Sequence, residues 1–143
     1  MYASTERLAV VVERLAPFRG TGELTDAMLG QAELPLAISE LELADDVMAI
    51  DLDDPAVLVS ERLRPSGVAT GHRPVTQRMA ADLFDRHGDA GALLWWSALE
   101  ASWLNATVFD RAHDALLVRA TEELTVEHPL VREAATFLGL RTP

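Results

Sequence analysis

Apolar residues in this chain recur with two different periods, and the alternation between them constrains the fold more than any other feature. Leu8, Val11, Val12 and Leu15 follow the i, i+3, i+4, i+7 spacing of a helix with one buried stripe. That spacing predicts a helix from Thr5 to about Leu15, with Ser4 as its cap and Glu6 favourable in its first turn. Leu34, Leu36 and Ile38 then alternate, and Leu41 and Leu43 alternate in the opposite register, which predicts two short strands or one strand with a bulge. Val47 to Leu52, Leu93 to Trp96, Ala106 to Phe109 and Leu116 to Val118 are further strand candidates.

Helix signals separate these runs. Asp54-Pro55 places a capping carboxylate before a proline whose fixed φ suits the first helical position. Thr76 is expected to cap a helix that buries Met79, Ala80, Leu83 and Phe84 and stops at Gly88. Pro129 opens a last helix through Leu138, with Gly139 as its stop. Between Asp54-Pro55 and Thr76, residues 64–75 carry Pro65, Gly67, Gly71 and Pro74 and read as a long loop. Strands interleaved with helices predict an α/β (α+β) domain.

A length of 143 residues suits one domain with one sizeable core. The absence of cysteine excludes disulfides, thiol catalysis and cysteine-built zinc sites. The net charge of −11 argues against direct nucleic-acid binding, which needs a basic patch. All 12 basic residues are arginine, and a few of these or a set of backbone N–H groups still suffice to hold a small anion. No run reaches the roughly 18 apolar residues of a membrane span. Met1 to Glu6 lacks the basic and apolar stretches of a secretory signal, so a cytoplasmic protein is expected.

Two spacings carry chemistry. Tyr2-Ala3-Ser4 opens the chain, and Glu13 follows Tyr2 by eleven positions on the first helix. Thr76-Gln77-Arg78-Met79-Ala80, a helix, Gly88 and Gly91 then precede an apolar strand and Ser97, with Asn105 eight and Phe109 twelve residues further on. This order, from Tyr2 to about Arg119, resembles the RES family, named for an arginine, a glutamate and a serine. Its glutamate sits on a helix after a Tyr-x-Ala motif, and its serine follows an apolar strand.

The resemblance implies a small mixed sheet flanked by helices around a NAD cleft, akin to the ADP-ribosyltransferase toxins. It implies that NAD is a substrate, cleaved at the nicotinamide–ribose bond with transfer of ADP-ribose to phosphate or a protein, and that no metal takes part. The matched positions are Glu13 as the catalytic carboxylate, and Ser97 and Tyr2 as NAD-binding residues. Such proteins are the toxins of bacterial toxin–antitoxin pairs, so the implied partner is an antitoxin with a helix-turn-helix domain. The family's arginine lies on a strand before the Tyr-x-Ala motif, whereas only Met1 precedes Tyr2 here. That departure implies a single RES-like domain over residues 1–143, N-terminally incomplete and feeble in NAD turnover. It also implies an open strand edge that invites pairing with a partner or a second copy. Arg73 is a candidate stand-in for the missing arginine. The alternative is a catalytically inactive relative that only binds its antitoxin.

The residue types suit that chemistry. Breaking an N-glycosidic bond develops positive charge on the ribose, which a fixed carboxylate stabilises. A serine at a strand end offers a hydroxyl to ribose or phosphate, and an aromatic ring stacks on nicotinamide. Taken singly, the same residues have ordinary readings. Glu13 lies off the Leu8–Leu15 stripe and reads as a solvated glutamate, Ser97 as a strand-end serine, and Tyr2 as part of a disordered terminus. Asp51, Asp53 and Asp54 lack the calcium-loop pattern, and His72, His87, His113 and His128 lack zinc-ligand spacing. Trp95, Trp96 and Trp103 read as core or cleft wall, and no phosphate-binding glycine motif or Gly-x-Ser-x-Gly elbow is present.

Overall fold

The computed structural model describes residues 1–31 and 34–142. Along the first half run β1 (Tyr2–Ser4), α1 (Arg7–Leu15), α2 (Asp26–Leu29), β2 (Gly30–Gln31), β3 (Leu34–Pro35), β4 (Ala37–Leu43) and β5 (Ala49–Asp51). The second half holds α3 (Pro55–Ser60), α4 (Pro65–Val68), α5 (Arg73–Arg86), β6 (Ala92–Trp96), β7 (Leu104–Val108), β8 (Leu116–Glu123) and α6 (Pro129–Leu138). The mixed α/β class expected from the two periodicities is what the chain adopts. Its contacts group into two compact units, one of Met1–Thr5 with Leu43–Leu116 and one of Glu6–Glu42 with Leu117–Pro143.

The first unit is built on a four-stranded sheet in the order β1-β7-β6-β5. β5 and β6 run parallel, joined through α3, α4 and α5, while β7 is antiparallel to both β6 and β1. Ile50, Leu52, Leu58, Val68, Leu83, Leu93 and Phe109 form its core, with Met79, Ala80, Phe84, Trp95 and Trp96 packed against it. Met79, Ala80, Leu83 and Phe84 are thus the inward positions of α5 that the spacing predicted. α3 starts as expected: Asp54 Oδ1 accepts from the Ala56 N–H at 2.8 Å, and Pro55 fills the first helical position. It ends with Arg62 at φ 57°, a left-handed conformation in which the Arg62 and Leu63 N–H groups close back on Val59 and Leu58.

In the second unit α1 packs against α6. Ala9, Val11, Val12 and Leu15 on one helix and Val131, Ala134, Ala135 and Leu138 on the other are all buried. α6 has the expected ends. Pro129 follows His128, whose Nδ1 accepts from the Leu130 N–H, and Gly139 stops the helix at φ 70°. β4 and β8 form a separate two-stranded ribbon. Its contacts Leu36–Leu124, Ser39–Thr121 and Glu42–Arg119 step along the two strands in opposite directions. The register change between Ile38 and Leu41 falls inside the single strand β4, where Ile38, Leu41 and Leu43 are the half-buried positions.

Four expectations need correction. Ser4 does not cap α1, because it lies in β1 and its hydroxyl donates to the Leu104 carbonyl at 2.8 Å; Glu6 holds the cap position, and its side chain makes no capping bond to the helix. Tyr2 is not part of a disordered terminus but pairs with Thr107 in the sheet. Residues 64–75 are not one long loop, since Pro65 and Pro74 each occupy the first turn of a helix, α4 and α5. Thr76 lies inside α5 instead of capping it, and its hydroxyl bonds back to the Arg73 carbonyl at 3.0 Å.

Candidate functional site

The sheet of the first unit decides which sequence-predicted residues share a surface. Directly opposed residues of an antiparallel pair project to the same face, and faces alternate along each strand. Ser4, Asn105 and Trp95 form one such row across β1, β7 and β6, and Tyr2, Thr107 and Leu93 form the next. Beyond the end of β6 the ladder continues through the Ser97 N–H, which donates to the Trp103 carbonyl at 2.8 Å. Ser97, two residues past Trp95, therefore follows the same face. Tyr2 and Ser97, 95 positions apart, are brought together on one side of one sheet.

That face is unusual in its burial. Ser97 and Asn105 are each 2% exposed and are the buried polar residues among those described. The Ser97 hydroxyl oxygen accepts from the Leu99 N–H at 3.1 Å, so the serine also shapes the turn that leaves β6. The Asn105 Oδ1 finds no hydrogen-bond partner among the described residues. Beside it, the Tyr2 and Trp95 rings lie 5.8 Å apart between centroids, tilted by 56°. Tyr2 keeps 46% of its surface exposed. The arrangement offers an aromatic pair, hydroxyls and a buried amide acceptor on one surface.

Phe109, the other position of the spacing, is a core residue. Its N–H donates to the Gly91 carbonyl at 2.8 Å, and its ring meets Phe84 edge-on at 5.1 Å. Arg111, which no spacing singled out, lies over the Phe84 ring at 3.8 Å and donates to the Phe84 and His87 carbonyls. A cation on the carbonyls closing a helix is favourably placed against its dipole. Arg111 fastens the end of α5 and is not a spare anion ligand. Its sequence signal was nil, because the pairing spans more than twenty residues.

Glu13 belongs to the second unit, in the body of α1 between the fully buried Val12 and Arg14. It is half-buried, which corrects the reading of it as a solvated surface residue. Arg14 reaches away to donate to the Gly30 carbonyl at 3.0 Å. Arg73, the candidate stand-in for an arginine, is an exposed residue at the start of α5.

A shallow groove of about 230 Å³ lies elsewhere in the first unit, lined by Leu63, Val75, Arg78, Met79, Asp82 and Arg86. It is smaller than ordinary ligand pockets and contains none of the expected site residues. At its edge Arg86 and His87 both bind Glu61, tying the end of α5 to the end of α3. Among the described residues no three His, Asp or Glu side chains converge as metal ligands. The chain matches no family model, no curated protein and no solved structure.

Proposed function

We propose that this chain binds NAD and cleaves the bond between nicotinamide and ribose. The observation that carries the reading is the shared sheet face of Tyr2 and Ser97, with Asn105 and Trp95 between them. In this reading the N1–C1′ bond breaks with its electron pair leaving on nicotinamide, and an oxygen of phosphate or of a protein side chain bonds to C1′. The RES resemblance assigns to Glu13 the stabilisation of positive charge developing on the ribose, a task for which a half-buried carboxylate is better suited than one in water. Ser97 positions the ribose, and the exposed Tyr2 ring stacks at the nicotinamide end.

The RES resemblance supplies the biological frame of the proposal: a toxin restrained by an antitoxin with a helix-turn-helix domain, acting in the cytoplasm. Among the described residues no helix is long and apolar enough to cross a membrane. The test is release of free nicotinamide from NAD by the purified chain, with and without inorganic phosphate. Release that phosphate accelerates supports phosphate as acceptor, and release without phosphate supports water or protein. No release and no NAD binding would remove the enzymatic reading.

A further inference from the structure

One side of α5 meets the core of the first unit through Met79, Ala80, Leu83 and Phe84. Its other side, with Pro74, Val75, Arg78, Ala81, Asp82 and Asp85, is exposed. Pro74, Arg78, Ala81 and Asp85 recur at i, i+4, i+7 and i+11, the spacing by which a helix presents one seam to a second helix. Val75 and Asp82, two turns apart, flank that seam, and Val75 keeps 45% of its surface exposed.

The charges of the seam are sorted along the helix. Arg78 stands in its first half, and Asp82 and Asp85 stand in its second. The base of the second half, Arg86, is held by Glu61. A helix dipole favours the reverse order, acids first and bases last, and the first turn of α5 carries no acid. Arg78 and Asp82 are spaced i, i+4, yet among the described residues the side chains of Arg78, Asp82 and Asp85 make no ion pair or hydrogen bond.

An order that disfavours the lone helix suits a second copy running antiparallel to it. Two-fold symmetry then sets Arg78 of each copy against the acids of the other, and the two helix dipoles oppose each other as well. Ala81 falls near the midpoint of Arg78 and Asp85, where a small side chain lets the two helices approach closely. The shallow groove of about 230 Å³ follows the same side of α5, from Val75 past Asp82 to Arg86, with Leu63 as its other wall. An antiparallel neighbour carries its own Val75 toward the Asp82–Arg86 end of that groove, which has room for one such side chain.

We propose that two copies of this chain pair through antiparallel α5 helices, with Arg78 of each copy against Asp82 and Asp85 of the other. The exposed face of α5 holds none of Tyr2, Glu13 and Ser97, so the proposal stands apart from the NAD reading. The net charge of −11 opposes self-association at long range and keeps the pairing weak.

Sedimentation velocity tests it on the whole chain. Wild type is expected to pass from monomer to dimer between roughly 10 μM and 1 mM, as suits an interface of one helix pair. Arg78→Glu makes the seam wholly acidic, and Asp82→Arg with Asp85→Arg makes it wholly basic. Each variant alone is expected to stay monomeric, its Kd raised at least about tenfold by like charges in contact. An equimolar mixture of the two is expected to form a one-to-one dimer tighter than that of wild type. Wild type that stays monomeric throughout, or either variant dimerising as wild type does, would overturn the proposal. A mixture that remains monomeric would overturn it as well, since charge pairing across α5 would then not account for the dimer.

Discussion

Gly91 is the position where one methyl group should do the most damage to the candidate site. It immediately precedes β6, donates its N–H to the Met48 carbonyl at 2.8 Å and accepts from the Phe109 N–H at 2.8 Å. A Cβ built there would overlap Val47 Cγ1 and would lie 2.7 Å from the Ala112 Cβ. Carbon atoms in contact sit about 3.5–4.0 Å apart, so the neighbours must move by roughly 1 Å. Val47 is half-buried and can turn aside, but Ala112 is buried, with its Cβ fixed to a short 3-10 turn. Overpacking of this kind costs about 1–3 kcal/mol, and the reduced freedom of the unfolded chain returns about 0.4–1 kcal/mol. Gly91→Ala is therefore expected to lose about 1–2 kcal/mol in urea denaturation followed by tryptophan fluorescence. That signal reports on the first unit, which contains Trp95, Trp96 and Trp103. Adding Ala112→Gly should recover a large part of the loss, a coupling of about 0.5 kcal/mol or more. A Gly91→Ala chain as stable as wild type, or one that Ala112→Gly fails to rescue, would refute the packing argument.

Three more outcomes follow from the structure. Arg62→Gly removes a left-handed arginine at the end of α3 and should stabilise the chain by up to about 1 kcal/mol in the same urea assay; a loss of stability would contradict this. The Glu122 carboxyl is held below 4.5, first by its hydrogen bond from His128 and then by Arg7, and that of Glu42 by its bond from Arg119. Depressed carboxylates contribute stability above the unfolded value, and it is lost as pH falls through the folded values. Melting temperature should then drop more steeply below about pH 4.5 in wild type than in a Glu42→Gln, Glu122→Gln chain, by a small margin because both groups are exposed. Parallel profiles would contradict it. Ser97→Ala should raise the Kd for NAD more than it lowers the rate at saturation, and the reverse pattern would give Ser97 a chemical role.

The elements that could be read from sequence are those whose signals are local. Asp54-Pro55, Pro129 and Gly139 mark helix ends because capping and backbone conformation act over three or four residues. The inward positions of α5 were legible because its apolar spacing matches one face. What failed depended on distant partners. A serine before a helix suits a cap, but the Ser4 hydroxyl is taken by Leu104, a hundred residues away. Pro65 and Pro74 suggested loops although proline equally suits a first helical turn. β8 runs on to Glu123, past its expected end at Val118, because its outer half is polar on both faces and shows no alternation. Spacing singled out Tyr2 and Ser97, which share a sheet face of the first unit, and Glu13, which belongs to the second. The unpaired Asn105 Oδ1 and the Tyr2–Trp95 ring pair arise only once β1, β6 and β7 are assembled.

The central claim is that NAD is cleaved with Glu13 as the stabilising carboxylate, and Glu13→Gln tests it most directly. The amide keeps the shape of the side chain and removes only its charge. Nicotinamide release at saturating NAD should fall by about 10²–10³-fold, the usual worth of one preorganised electrostatic group. The melting temperature and the Kd for NAD should stay close to those of wild type. A Glu13→Gln chain that releases nicotinamide at the wild-type rate would contradict the account.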